Sequence, residues 1–225
     1  MKPQLALVFY TEGPTDMAFL QPLVVRACQS IFTQHNVPHI EVVEPFPVNE
    51  FLTPKGKISQ AKRILQAAHF ANNHHALLVH NDADKRTRAK TIQFQFQPGY
   101  DEVHRQSLGV CKQLLPIIPI RMIEAWLLAD VQTLCREMDT DLTPVQLGLP
   151  LSPAAIEGNT DPKQTLEEAL RKANAKRSKA TRVERGNLYP SLGLSIDLKQ
   201  LERLSAYQDF ITDLTSTIKH LNMIY

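Results

Sequence analysis

Only eight glycines occur in 225 residues, which leaves a glycine-cradled phosphate loop few places to form. Neither a Walker lysine loop nor a Gly-x-Ser-x-Gly elbow is present, so a P-loop ATPase and a serine hydrolase both lack support. The three cysteines, Cys28, Cys111 and Cys135, stand at wide spacings that suit neither a disulfide framework nor a zinc site. Long apolar runs are missing as well. The longest, Leu114 to Ile120, has seven residues and two prolines, whereas a membrane helix needs about 20. The opening MKPQLALVFYTEGPTD lacks an apolar stretch with a small-residue cleavage site, so no secretory signal is expected and the cytoplasm is the expected compartment. Charge of one sign is also lacking: 25 Lys and Arg against 23 Asp and Glu leave a net charge of +2. Any binding to nucleic acid must therefore come from local charge.

What is present is an ordinary folding composition, 43% hydrophobic and 21% charged, sufficient for a buried core. Leu5 to Tyr10, Ile40 to Val43, Ala76 to His80 and Ile117 to Ile120 read as strands. Between and after them, Asp16 to Phe32, Lys57 to Ala71, Tyr100 to Leu114 and Met122 to Asp130 carry apolar residues at helical spacing. Four alternations of strand and helix in about 130 residues predict an α/β fold, a mainly parallel four-stranded sheet flanked by helices. Residues 133–160, rich in proline, read as an irregular connector. Residues 161–225 read as a helical C-terminal extension, with Asp161 capping its first helix and Pro162 in the first turn. Seven Lys and Arg with a single Glu lie between Arg171 and Arg185.

Ligands of parallel sheets bind outside the carboxyl ends of the strands, and the acidic residues fall there. Glu12 and Asp16 follow the first strand, Asp82 and Asp84 the third, and Glu124 the fourth. Two carboxylates about 4 Å apart repel by roughly 4 kcal/mol at an effective dielectric near 20. Such a cluster raises its own pKa values or recruits a cation. Hard oxygens without cysteine suit Mg²⁺ or Mn²⁺, ions that commonly meet phosphate oxygens. Each acid also has a plainer role open to it: Glu12 and Asp16 can complement the dipole of the helix that follows, and Glu124 can be a solvated helix residue. The Asp82-x-Asp84 pair, crowding one strand end, is the strongest metal candidate.

At Thr-Glu-Gly-Pro-Thr-Asp (11–16) and His-Asn-Asp-Ala-Asp (80–84), residues 1–132 resemble a TOPRIM domain, the fold shared by primases, topoisomerases, recombination proteins and nucleases related to the OLD family. The stretch from Ile118 to Asp130 and the segment Ile196-Asp-Leu-Lys-Gln-Leu-Glu-Arg-Leu resemble more narrowly a group of stand-alone bacterial TOPRIM-like proteins, often found in phage defence and sometimes beside an ATPase. The resemblance implies a Rossmann-like catalytic domain and a Mg²⁺-dependent nuclease. Glu12 would bind metal or act as general base, Asp82 and Asp84 would hold the ion, and Asp16 and Glu124 would complete the acidic shell. Asn81 in place of a third neighbouring acid favours one metal over two.

Lys85, Arg86, Arg88 and Lys90 follow the acidic pair, and Arg121 faces the same edge. These side chains suit contacts to phosphate, and Lys176, Arg177 and Lys179 in the later basic stretch suit non-specific backbone binding. The expected partner is therefore nucleic acid, with an ATPase partner and self-association left open and no membrane. The alternative keeps the fold without catalysis, as a regulatory or binding subunit of an ATPase-containing complex.

Overall fold

The computed structural model describes residues 3–225. Its centre is a four-stranded, all-parallel sheet in the order β4 (Phe46–Pro47), β2 (Leu7–Tyr10), β5 (Ala76–His80) and β6 (Leu114–Ile117). A two-residue parallel pair, β1 (Gln4–Leu5) with β3 (Glu41–Val42), lies on the chain segments just ahead of β2 and β4. The expected α/β fold with a mainly parallel four-stranded sheet is the observed one, but one of its strands is not the one read from the sequence. The Ile40–Val43 run joins the small pair, and the edge of the main sheet goes to Phe46–Pro47. That edge strand tolerates its proline because only one of its sides pairs.

Both faces of β2, β5 and β6 are covered, so these strands are apolar up to the terminal His80 of β5 rather than alternating with polar residues. Leu7, Phe9, Ala76, Leu78, Leu115 and Ile117 belong to one core cluster, and Val8, Tyr10, Leu77, Val79 and Leu114 to the other. The first face is covered by α1 (Pro14–Gln34) and by helices from the C-terminal third, α10 (Arg185–Ser195) and α12 (Ser205–His220). The second is covered by α2 (Gln60–Phe70) and by a helical stretch made of α3 (Arg88–Thr91), a π-turn at Ile92–Phe96 and α4 (Gln97–Arg105).

The fourth strand starts three residues earlier than expected, and the preceding helix stops at Arg105 rather than running to Leu114. Gly109, at a φ of 78°, turns the chain in between, a conformation that glycine adopts without steric cost. Residues 133–160 are more ordered than the sequence suggested. They hold the end of α6 (Val131–Glu137) and the single-turn helices α7 (Pro144–Leu147) and α8 (Pro153–Glu157). Two of the three prolines there, Pro144 and Pro153, are first-turn residues behind Thr143 and Ser152 caps, a helix-starting use of proline rather than a helix-breaking one. α9 (Pro162–Ala173) begins as predicted, with the Asp161 side chain accepting from the Gln164 amide. The chain ends in a helical pair, α11 (Leu198–Leu201) and α12. No helix of the described residues is long and apolar enough to cross a membrane.

Candidate functional site

The carboxyl ends of β2 and β5 carry the site. β5 alternates between the two faces, so its last residue, His80, belongs on the α1 side, where Asp16 stands in the first turn of α1. His80 is fully buried, with Nδ1 3.7 Å from the Asp16 carboxylate and Nε2 3.4 Å from that of Asp82. Neither ring nitrogen makes a hydrogen bond of good geometry, so the imidazole is held between two acids chiefly by charge. Burial alone would disfavour its protonated form, but Asp82, Asp16 and Glu12 outweigh burial and raise its pKa.

Four of the five predicted acids have a hydrogen-bond partner for their carboxylate, and Asp84 is held through its backbone. Asp16 accepts from the Gly13 amide at 2.8 Å, in a turn that starts α1. Asp82 accepts from the Ile123 amide at 3.0 Å, which ties the loop after β5 to the loop after β6. Glu124 opens α5 (Glu124–Leu127), is 7% exposed, and accepts a 2.6 Å hydrogen bond from the Tyr189 hydroxyl of α10. Glu12 pairs with Lys55 at 3.1 Å. Asp84 has a left-handed φ of 52°, and its amide donates to the carbonyl of Arg121, itself at a φ of 68°, while Arg121 Nη1 donates back to the Asp84 carbonyl. Two non-glycine residues in that region, locked to each other, are the kind of strain that tertiary contacts must maintain.

The acids feel one another. Burial, with Asp82 and Glu124 nearby, holds Asp16 above the usual carboxylate range despite His80 and the Gly13 amide. Partial burial, with Asp82 and Glu12, raises Asp84 against Arg86 and Lys55. This is the electrostatic strain expected of clustered carboxylates, and a divalent cation would relieve it. The donor chemistry fits Mg²⁺ or Mn²⁺, since every candidate ligand is a hard oxygen. As the side chains stand, however, no three His, Cys, Asp or Glu residues among those described are gathered in a metal-holding group. An ion would have to draw at least one of them inward.

Beside the acids lies an open basin of about 540 Å³ lined by Asp84, Lys85, Arg86, Arg121, Met122, Thr160 and Asp161. Three of the predicted phosphate-binding residues therefore meet at one place. Arg88 does not join them. Its guanidinium lies 3.2 Å from Asp209 and 3.0 Å from Asp213 on α12, a clamp between helices. Arg177 likewise pairs with Asp139, whereas Lys176 and Lys179 are exposed on the loop between α9 and α10.

Three members of this site carried no assigned role in the sequence reading. His80 sat inside the quoted motif, and strand alternation was the signal that could have turned it toward Asp16. Lys55 and Tyr189 reach Glu12 and Glu124 from 43 and 65 residues away, a distance at which spacing carries no information.

No curated protein matches this chain, and no solved structure does. A family model does match, over residues 11–214, a span that begins at the first acidic turn and takes in the basin, the acids and the helices packed behind them. The chain therefore belongs to the family described as Domain of unknown function (DUF4276).

Proposed function

We propose that this protein is a metal-dependent nuclease that hydrolyses phosphodiester bonds at the carboxyl end of its sheet. The observation that carries this reading is that Glu12, Asp16, Asp82, Asp84 and Glu124 stand near enough at one sheet end to influence one another, with Asp16 and Asp82 flanking a buried histidine, next to a basin with three cationic side chains. Asp82 and Asp84 would hold Mg²⁺ or Mn²⁺, with Asp16 and Glu124 behind them. Such an ion, when bound, neutralises charge developing on the phosphoryl oxygens and lowers the pKa of water. The remaining work falls to the chain. Lys85, Arg86 and Arg121 neutralise and orient the phosphates on either side of the scissile bond. His80 keeps Asp16 and Asp82 in place, and the Glu12 carboxylate takes the proton of the attacking water. The products are a phosphate monoester and a free hydroxyl. Support for a role in phage defence beside an ATPase comes from the likeness to OLD-type proteins.

The test is calorimetric titration of Mg²⁺ and Mn²⁺ into the wild type and Asp82→Ala/Asp84→Ala, followed by incubation of the same samples with plasmid, single-stranded DNA and tRNA. Binding and cleavage are both expected in the wild type, and both are expected to disappear in the double variant. The absence of three gathered ligands favours a second reading, a binding or regulatory subunit on the same fold. Metal bound without cleavage of any substrate would decide for it.

A further inference from the structure

We propose that the start of α2 is a second phosphate-contacting site, centred on Arg63, which holds a nucleic-acid backbone on the other side of Glu12 from the Lys85–Arg86–Arg121 basin. It deepens the nuclease reading, on which its choice of polymer rests.

Arg63 is 7% exposed, and an arginine stays charged in any protein setting. Buried charges are normally paired. This one has no carboxylate within ion-pair distance and no hydrogen bond from any guanidinium nitrogen among the described residues, and its Nε is buried without a partner. Its one compensation is the ring of Tyr10, 5.1 Å from the guanidinium carbon, whose face attracts a cation. Other sheltered arginines of this protein are provided for. Arg26 donates to the carbonyls of Gly193 and Ile196, and Arg88 and Arg177 have carboxylate partners. Only Nε is shut away from solvent, so Arg63 is a cation without a protein counter-charge whose outer nitrogens remain open to an anion.

Its surroundings identify the anion. Tyr10 ends β2 two residues before Glu12, and its hydroxyl donates to Gln60, the first residue of α2. The guanidinium therefore lies at the same sheet end as the acids, on the face away from α1. The segment Lys55 to Arg63 contains Lys55, Lys57, Lys62 and Arg63 and no acid, and Lys55 already touches Glu12. The loop is held to the helix by Thr53 and Gln66, which exchange two hydrogen bonds. The eleven-residue helix directs its positive end the same way, and phosphate suits both a helix start and a forked guanidinium. Cations on both sides of Glu12 form a track, which matches a chain of phosphates better than one small anion.

Binding is measured by fluorescence anisotropy of a labelled oligothymidylate across a salt series in excess EDTA, so that no metal and no turnover enter. Arg63→Gln is expected to weaken binding at least tenfold, with Arg63→Lys between it and the wild type. The exposed pair Lys57→Ala/Lys62→Ala, which cannot disturb the core, is expected to flatten the salt slope by about 1.4, two phosphate contacts at about 0.7 each. Loss confined to the Arg63 variants would narrow the site to the guanidinium and still support it. The proposal is overturned if wild type fails to bind, if the Arg63 variants bind as wild type, or if Lys199→Ala/Lys219→Ala, on remote helices, loses as much. Displacement by equimolar ATP would overturn the assignment to a polymer. Oligonucleotide held through Arg63 but never cut in Mg²⁺ would sink the nuclease reading alone, whereas cleavage that survives Arg63→Gln unchanged would sink this one.

Discussion

Asp16 shows what the acidic edge costs the fold. Its pKa is raised, first by burial and then by neighbouring carboxylates, so the folded protein resists its ionisation. The stability it leaves intact is fully present below the unfolded carboxylate value, about 3.9. It is lost as pH rises through the higher folded value, because there the native state binds more protons than the unfolded chain. Asn in this place keeps an oxygen for the Gly13 amide and carries no charge. Asp16→Asn should therefore melt above wild type at neutral pH, with the gap closing as pH falls toward 4. Mg²⁺ should raise the melting temperature of wild type by mass action and that of the variant less. Calorimetric melts with and without Mg²⁺ check both, and a variant that melts below wild type at neutral pH would mean that Asp16 is a structural cap and nothing more.

Among the elements, α1 and α10 pack with their backbones close together. Gly193 lies so near α1 that an added Cβ would stand 2.4 Å from the Phe19 carbonyl oxygen and 2.6 Å from Pro22 Cγ. Arg26 of α1 then ties down the carbonyls of Gly193 and Ile196. Gly193→Ala must push the helices apart, an overpacking that costs about 1–3 kcal/mol, and α10 carries the Tyr189 hydroxyl that holds Glu124. Denaturant melts should show that loss. If the nuclease reading holds, cleavage should fall too, and a variant as stable as wild type would contradict the geometry. This is also where legibility ended. β5, α1 and the cap of α9 were readable because apolar period, proline and capping residue agreed. α10 was not foreseen, since its sequence, RGNLYPSLGLS, holds a proline and two glycines and has little one-sided apolar character. Only its packing makes it a helix. The five acids were legible as strand-end residues, but their supports were not, because Tyr189, Lys55 and the Ile123 amide arrive through tertiary contacts.

For the whole molecule, the division drawn near residue 132 separates sequence textures rather than cores. One apolar cluster runs from Leu5 through Phe19, Leu20 and Leu23 of α1 to Leu192, Tyr207, Phe210 and Ile224. Ending the chain after residue 132 would expose the α1 side of the sheet, at roughly 25 cal/mol for each Å² of apolar surface uncovered. Such a fragment should lack a cooperative thermal transition by circular dichroism, and a sharp one would show that the N-terminal part stands alone. The indole of Trp126, the chain's one tryptophan, is 1% exposed and meets Tyr207 edge-on at 5.2 Å and Phe210 at 5.9 Å. It sits on α5 two residues after Glu124. The molecule thus carries its own optical gauge: light emitted from a single known position, sensitive on one side to the docking of the last helix and on the other to whatever occupies the acidic edge.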